Sequence, residues 1–352
     1  MTPSRNLTAA VRSVLSDVTE GFLEIIHNSL ALLGIAVVLT LITLTARPDW
    51  REDGEEKLRA WLLQRQEALE DNTAMAALNA EPDAIERTTA ANPQDLPREQ
   101  AAIAYWGLGS HMGEAVSQNG KGHVLGHVTN LGLDYADPEV RGYQTRARLN
   151  YHADSSDIVS LLCLRAGRSG GLSSIVSSTT LWNELVRRRP DHARTLLSPL
   201  YYTRWGEIPA NRKPWAEIAA FTPWEGRMIA TYVRSAIAKS QLMAQVPRLS
   251  AAQLEAMDHL DALAADPALH LDMAFRPGDI QVLCNHSILH SRTAYEDWPE
   301  PERRRHLLRL WLACEDGPAL PPFMTDDFQG RTATGRPDGI RVPGVPLVAP
   351  LE

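Results

Sequence analysis

From Gly122 onward the chain is cut into short apolar runs, and that texture restricts its fold more than anything else in its 352 residues. "HVLGHV", "DIVSLLCL", "LSSIVSS" and "IQVLCNHSILH" are separated by Gly, Asp and Pro, at lengths that suit strands. One tract, residues 180–265, reads as mostly helical, as in "TLWNELVRRRPDHARTLL" and "SAAQLEAMDHLDALAAD". Strands grouped around a single helical insertion predict a mainly β fold with α, a sandwich or barrel core with helices packed outside it. A doubly wound parallel sheet would need regular alternation of the two.

The first hundred residues have a different character. "SLALLGIAVVLTLITLTA", residues 29–46, carries no charge. As a helix it would span about 27 Å, just short of the ~30 Å hydrocarbon core of a bilayer. Arg47, Arg51, Lys57 and Arg59 follow it, against Arg5 and Arg12 before it, a bias that keeps the long C-terminal part in the cytoplasm. Residues 1–50 are therefore expected to hold an N-terminal apolar helix, a candidate transmembrane anchor at the inner face of a membrane. Residues 51–99 read as a charged, alanine-rich helical linker broken by "ANPQDLP", and residues 100–352 as the main domain.

The net charge of −8, with Lys and Arg scattered, argues against a nucleic-acid partner. Cys163, Cys284 and Cys314 form no CxxC pair and no disulfide framework, which points to a reducing compartment.

Chemistry concentrates in His-x-Asp triplets. On a strand, residues i and i+2 face the same side, so His-x-Asp aims an imidazole and a carboxylate at one ion. A second histidine from another strand then completes the facial triad that binds non-haem iron. The chain has three such triplets among its eleven histidines. His259-Leu260-Asp261 lies in a helical pattern, where i and i+2 are about 200° apart around the axis, and is eliminated. His270-Leu271-Asp272 lies in "ALHLDMAF", read as a strand that forms a hairpin through "RPGD" with the next run. His152-Ala153-Asp154 precedes the buried run "DIVSLLCL". Both remain open on residue types alone. His286 and His290, at one parity in "IQVLCNHSILHSR", are the candidate third ligands.

Five stretches in order, "YWGLGSHMGEAVSQNGKGHVLGHV", "YHADSSDIVSLLCLR", "SGGLSSIVSS", "RPGDIQVLCNHSILHSRTAYED" and "RRRHLLRLWL", resemble the taurine dioxygenase-like (TauD/TfdA) family of Fe(II)/2-oxoglutarate-dependent oxygenases. The resemblance covers residues ~100–352 and implies a double-stranded β-helix, or jelly-roll, with the metal at its open end. By motif, His152 and Asp154 match the family's HxD. His290 matches the distal histidine, five residues after Asn285. His286 is then a supporting or packing residue. Arg305 matches the first arginine of RxxxR, which grips the distal carboxylate of 2-oxoglutarate, and Ser173 the hydroxyl that shares it. Arg309 matches the second arginine, which faces an anionic substrate. Tyr232 and Arg234 are assigned to packing near the pocket. The usual entry strand of the form GFVLLRG has no counterpart, so the domain is expected to lack its first strand.

The resemblance implies Fe(II) as cofactor, 2-oxoglutarate as co-substrate, and hydroxylation of a small, anionic organic molecule by O2 with release of succinate and CO2. Two other readings stand beside it. One is a truncated, catalytically silent membrane-associated binding protein; the other is a zinc hydrolase at the same ligands, which leaves Arg305 and Ser173 unexplained.

Overall fold

The structure, a computed structural model, describes residues 98–208, 212–325 and 330–351. The candidate membrane segment 29–46, the linker 51–99 up to residue 97 and the place of the absent entry strand lie outside the described residues. Among those described, no helix is long and apolar enough to cross a membrane. The chain divides into two units, residues 1–108 and 109–352. The described part of the first belongs to helix α1, Arg98–Ser110, which runs to the junction.

In the second unit two antiparallel sheets carry the site. The first joins β15 (His306–Ala313) on one side to β1 (Glu114–Ala115) and β2 (Leu125–Thr129), and on the other to β4 (Ile158–Arg165) and then β12 (Ile280–Cys284). The second orders β11 (His270–Met273), β6 (Ser173–Ser177), β13 (Ile288–Arg292) and β3 (Leu149–His152). The chain passes from β4 to β6, returns from β11 to β12, and crosses again to β13 and back to β15. Residues of both sheets line one cavity, Leu161 and Arg309 from the first, Ser173 and His290 from the second.

Three expectations are corrected here. "IQVLCNHSILH" is not one strand. It bends at a turn over residues 285–287, so β12 and β13 belong to different sheets and His286 sits in the turn. The "RPGD" stretch does not close a hairpin, because β11 pairs with β6 and β12 with β4. The tract 180–265 is not mostly helical. Between its helices lie β7 (Pro199–Thr203) paired with β8 (Trp215–Ala219), and β9 (Phe221–Trp224) paired with β10 (Arg227–Ala230). The aromatic and β-branched content of these runs, cut by Pro and Gly, favours strands over the helix that the flanking segments suggest.

The helices of this tract are α2 (Ser178–Arg188), α3 (Pro190–Leu196), α4 (Arg234–Ser240) and α5 (Ala251–Ala264). The Ser177 side chain caps α2 by accepting from Thr180 N, and Ser250 and Gln253 form a capping box on α5. Leu181 and Leu185 on α2, Leu196 on α3 and Met257 and Leu260 on α5 are fully buried with Val176 and Leu289 of the second sheet. Each such side chain stabilises the fold by roughly 1.5–3 kcal/mol. This layer backs β13, so its even positions, His290 and Arg292, are left for the cavity. Tyr232 and Arg234 belong to it as well: Tyr232 Oη donates to Asp261 Oδ1 at 2.9 Å, and Arg234 pairs with Asp258 and Asp261.

The C-terminal stretch lies along the first sheet's end. Gly339 bridges to Ser117 and Val348 to His123, and Ile340 reaches the cavity. Farther along, His127 Nε2 lies 2.9 Å from Pro350 O.

Candidate metal centre and co-substrate pocket

Antiparallel pairing of β13 with β3 sets His290 directly opposite His152, so the two imidazoles share a face with ring centroids 4.2 Å apart. A register shift follows in the same ladder between His290 and Arg292, a local bend of the kind common beside active sites. Asp154 does not continue the strand. It lies just past the end of β3, with its backbone N–H donated to Asn285 Oδ1 at 3.1 Å, while Asn285 Nδ2 donates to Ser156. The asparagine at the β12–β13 turn thus pins the His-x-Asp loop against the strand that carries His290. His152, Asp154 and His290 each offer one ligand atom, and all of these lie within 4.8 Å of one another.

The surroundings set the protonation that a metal requires. His152 Nδ1 lies 2.8 Å from Asn150 O, which fixes the proton there and leaves Nε2 as the lone-pair nitrogen. Burial above all, with His152 and Arg309 nearby, lowers His290 to about 3 against the pull of Asp154. Burial pushes the Asp154 carboxyl up, but Arg309, the two imidazoles and the Trp311 N–H bring it down to about 2. With His290 neutral at pH 7, Arg309 is the charge that matters. Asp154 Oδ2 accepts from Trp311 Nε1 at 2.8 Å and from Arg309 Nη1 at 3.3 Å. An ionised carboxylate beside neutral imidazoles is the state in which these groups bind a divalent ion.

His270 and Asp272, the competing triplet, stand elsewhere on β11. Asp272 accepts from Ser174 Oγ, and His270 Nδ1 lies 3.2 Å from Ala264 O. His259 and Asp261 lie on α5, and His259 Nδ1 is 3.2 Å from His192 Nδ1. His286 Nε2 donates to Asp157 Oδ1 at 2.7 Å, and Arg336 donates to the same carboxylate. Burial would raise Asp157, but the hydrogen bonds from His286 and Arg336 hold it below the ordinary range. His286 therefore fastens the turn between the sheets.

The other end of the cavity is cationic. Arg305 and Ser173 line it, while Arg309 lines the same cavity beside Asp154. The "GG" before Ser173 is explained by close approach: Gly171 has φ +73°, and a Cβ there would meet Arg305 Nε at 3.1 Å. Ser173 Oγ donates to Gln281 Oε1 at 3.0 Å. Arg309 is already engaged, through Nε to Gln118 Oε1 at 2.7 Å and through Nη1 to Asp154. Arg305 is buried, and among the described residues its Nη1 has no hydrogen-bond partner. Burial pushes the Cys163 thiol up to about 11 and the Cys314 thiol up to about 12.

Sequence reasoning missed Trp311, Gln118 and Asn285 as supports, and gave Arg292 no role. Arg292 had a legible signal, a charged residue at the parity of His290 on a buried strand.

The sequence profile described as "Taurine catabolism dioxygenase TauD, TfdA family" matches residues 92–311. The chain belongs to this family. As a TauD/TfdA protein it is a non-haem Fe(II)/2-oxoglutarate-dependent dioxygenase, with Fe(II) and 2-oxoglutarate as its cofactor and co-substrate. Among curated relatives, "FR-33289 synthase" of Streptomyces rubellomurinus (strain ATCC 31215) is 30% identical over 236 residues, 65% of this chain and 69% of the relative. "Taurine hydroxylase-like protein SAT17" of Stachybotrys chartarum (strain CBS 109288 / IBT 7711) is 31% identical over 67% of this chain and 63% of its own length. "Uridine-5'-phosphate dioxygenase" of Amycolatopsis sp is 29% identical over 49% of this chain and 63% of its own. A solved structure of asparagine oxygenase with Fe(II), 3-hydroxyasparagine and succinate overlays with TM-score 0.48 at 15% identity, covering 68% of this chain and 69% of that one. At that score the overlay adds nothing to the family match.

The residues present fit both groups this family uses. Three ligand atoms of the right chemistry converge at one corner, and a buried guanidinium with an unpartnered nitrogen lines the same cavity.

Proposed function

We propose that His152, Asp154 and His290 hold the Fe(II), that Arg305 and Ser173 hold the distal carboxylate of 2-oxoglutarate, and that the enzyme hydroxylates a small, anionic organic substrate. The observation that carries this reading is the convergence of three ligand atoms, from residues far apart in sequence, to within 4.8 Å. Residues 100–352 are the oxygenase domain in this reading, on a double-stranded β-helix. The passage of the chain between two antiparallel sheets with a shared cavity supports that architecture.

When bound, iron and 2-oxoglutarate supply the oxidising chemistry that turns O2, the keto acid and a substrate C–H bond into succinate, CO2 and an alcohol. The protein's own residues orient and shield. Trp311 and Arg309 hold Asp154 Oδ2, leaving Oδ1 as the less encumbered oxygen. Asn150 O keeps the His152 proton on Nδ1. Leu161, Leu307 and Val128 make one wall apolar and exclude water from the co-substrate. Arg309 is the substrate-facing cation of this reading, and its existing contacts with Asp154 and Gln118 make it a fixed, oriented charge. The name of the uridine-5'-phosphate relative is in keeping with an anionic substrate.

Anaerobic Fe(II) plus 2-oxoglutarate should give a weak visible charge-transfer band, and with air the protein should release succinate. The band should vanish in His152→Ala and persist in His270→Ala. The reverse pattern would reject the ligand assignment.

A further inference from the structure

We infer that Arg292 is a second guanidinium of the 2-oxoglutarate pocket and helps Arg305 select keto acids bearing a distal carboxylate. The inference deepens the reading above and rests on it. Arg292 ends β13, two residues beyond His290, and its register partner on β6 is Ser173. It lines the same cavity as Ser173 and Arg305 and is 5% exposed. Its Nη2 donates to Thr145 O at 2.9 Å and to Ala147 O, which fixes the plane of the group. Among the described residues its Nε and Nη1 are buried without a partner, as is Nη1 of Arg305. The two guanidinia sit against one ring, with their carbons 4.7 and 5.0 Å from the Tyr295 centroid.

The charges at this end do not balance. Among the described residues the carboxylate near both arginines is Asp297. Its Oδ1 is taken by the backbone N–H of Arg305 at 2.8 Å, and its Oδ2 touches neither guanidinium. Two buried positive charges facing one carboxylate leave an unmet demand for one negative charge, and an unpaired buried charge is costly. A ligand carboxylate meets that demand. Ser173 is a weak second donor for it, because its hydroxyl proton is committed to Gln281. Arg292, directly across the ladder, has the N–H groups to spare.

The test measures dissociation constants of 2-oxoglutarate and of 2-oxovalerate, the same chain without the distal carboxylate, on the anaerobic Fe(II) protein by calorimetry and by the charge-transfer band. The wild type should prefer 2-oxoglutarate. In Arg292→Gln that preference should shrink by about tenfold or more, the usual scale for removing one partner of a buried charged contact, while 2-oxovalerate affinity stays. Arg292→Lys should fall between the two, and it carries the same test if Arg292→Gln does not fold. An unchanged preference, or equal weakening of both keto acids, would overturn the inference and make Arg292 a packing residue. Absence of iron-dependent 2-oxoglutarate binding in the wild type would instead sink the underlying reading.

Discussion

Replacing Trp311 by Phe isolates a single hydrogen bond behind the proposed metal centre. Asp154 Oδ2 has two donors, and the indole N–H at 2.8 Å is the closer; the Arg309 contact is 3.3 Å. A hydrogen bond to a buried charged group contributes about 1.5–3 kcal/mol. At about 1.4 kcal/mol per decade that is roughly a 10- to 100-fold change in an equilibrium constant, and removing an outer partner of a metal ligand costs a similar 10- to 100-fold in affinity. The phenyl ring keeps an aromatic face where Arg309 now lies 5.0 Å from the Trp311 ring, so most of the packing survives. Fe(II) or Co(II) affinity, measured by competition with a chelator, should therefore fall at least tenfold in Trp311→Phe. Binding of 2-oxoglutarate at saturating metal should change little. A folded variant with metal affinity within twofold of wild type would refute the idea that the indole holds Asp154 in its binding orientation.

Acid should weaken the metal-free protein from an unusual point. The folded His290 titrates near 3, below its ordinary 6.5, so the stability tied to its neutral form is complete above pH 6.5 and drains as pH falls toward 3. At pH 5 the loss is about 2 kcal/mol from this residue, and His290→Asn should show a shallower fall in melting temperature between pH 6.5 and 5. Arg336→Ala leaves the buried Asp157 with His286 as its side-chain partner. Urea melts should then show a loss of about 3–5 kcal/mol, an effect that a solvated surface pair would not produce.

The chemistry was more legible in the sequence than the architecture. His-x-Asp, the asparagine-to-histidine spacing and the paired arginines are short-range patterns, and each survives translation into three dimensions as residue types near one cavity. Only His152 stands on a strand; Asp154 lies in the loop beyond it, fastened by Asn285, so the two reach one corner by a bend that strand alternation does not predict. The break at residues 285–287 falls on the polar triplet Asn285-His286-Ser287, but apolar runs on both sides let it pass as one strand, and nothing local marks a strand that changes sheets. Strands β7 to β10 were obscured by the strong helices on either side. Trp311 and Gln118 were out of reach for another reason: their partners are 157 and 191 positions away, and only the folded ladder brings them together.

The stretch running from Arg336 to Pro350 has a practical meaning for anyone shortening the gene. It clamps the Asp157 carboxylate, bridges Ser117 and His123, and contributes Ile340 to the chamber wall. Trimming the carboxy terminus by protease, or stopping translation before residue 336, would thus strip away a brace and a patch of lining at once. A stop just after Arg336 should cost catalysis through the lost lining at Ile340, whereas a stop before it should destabilise the core as well.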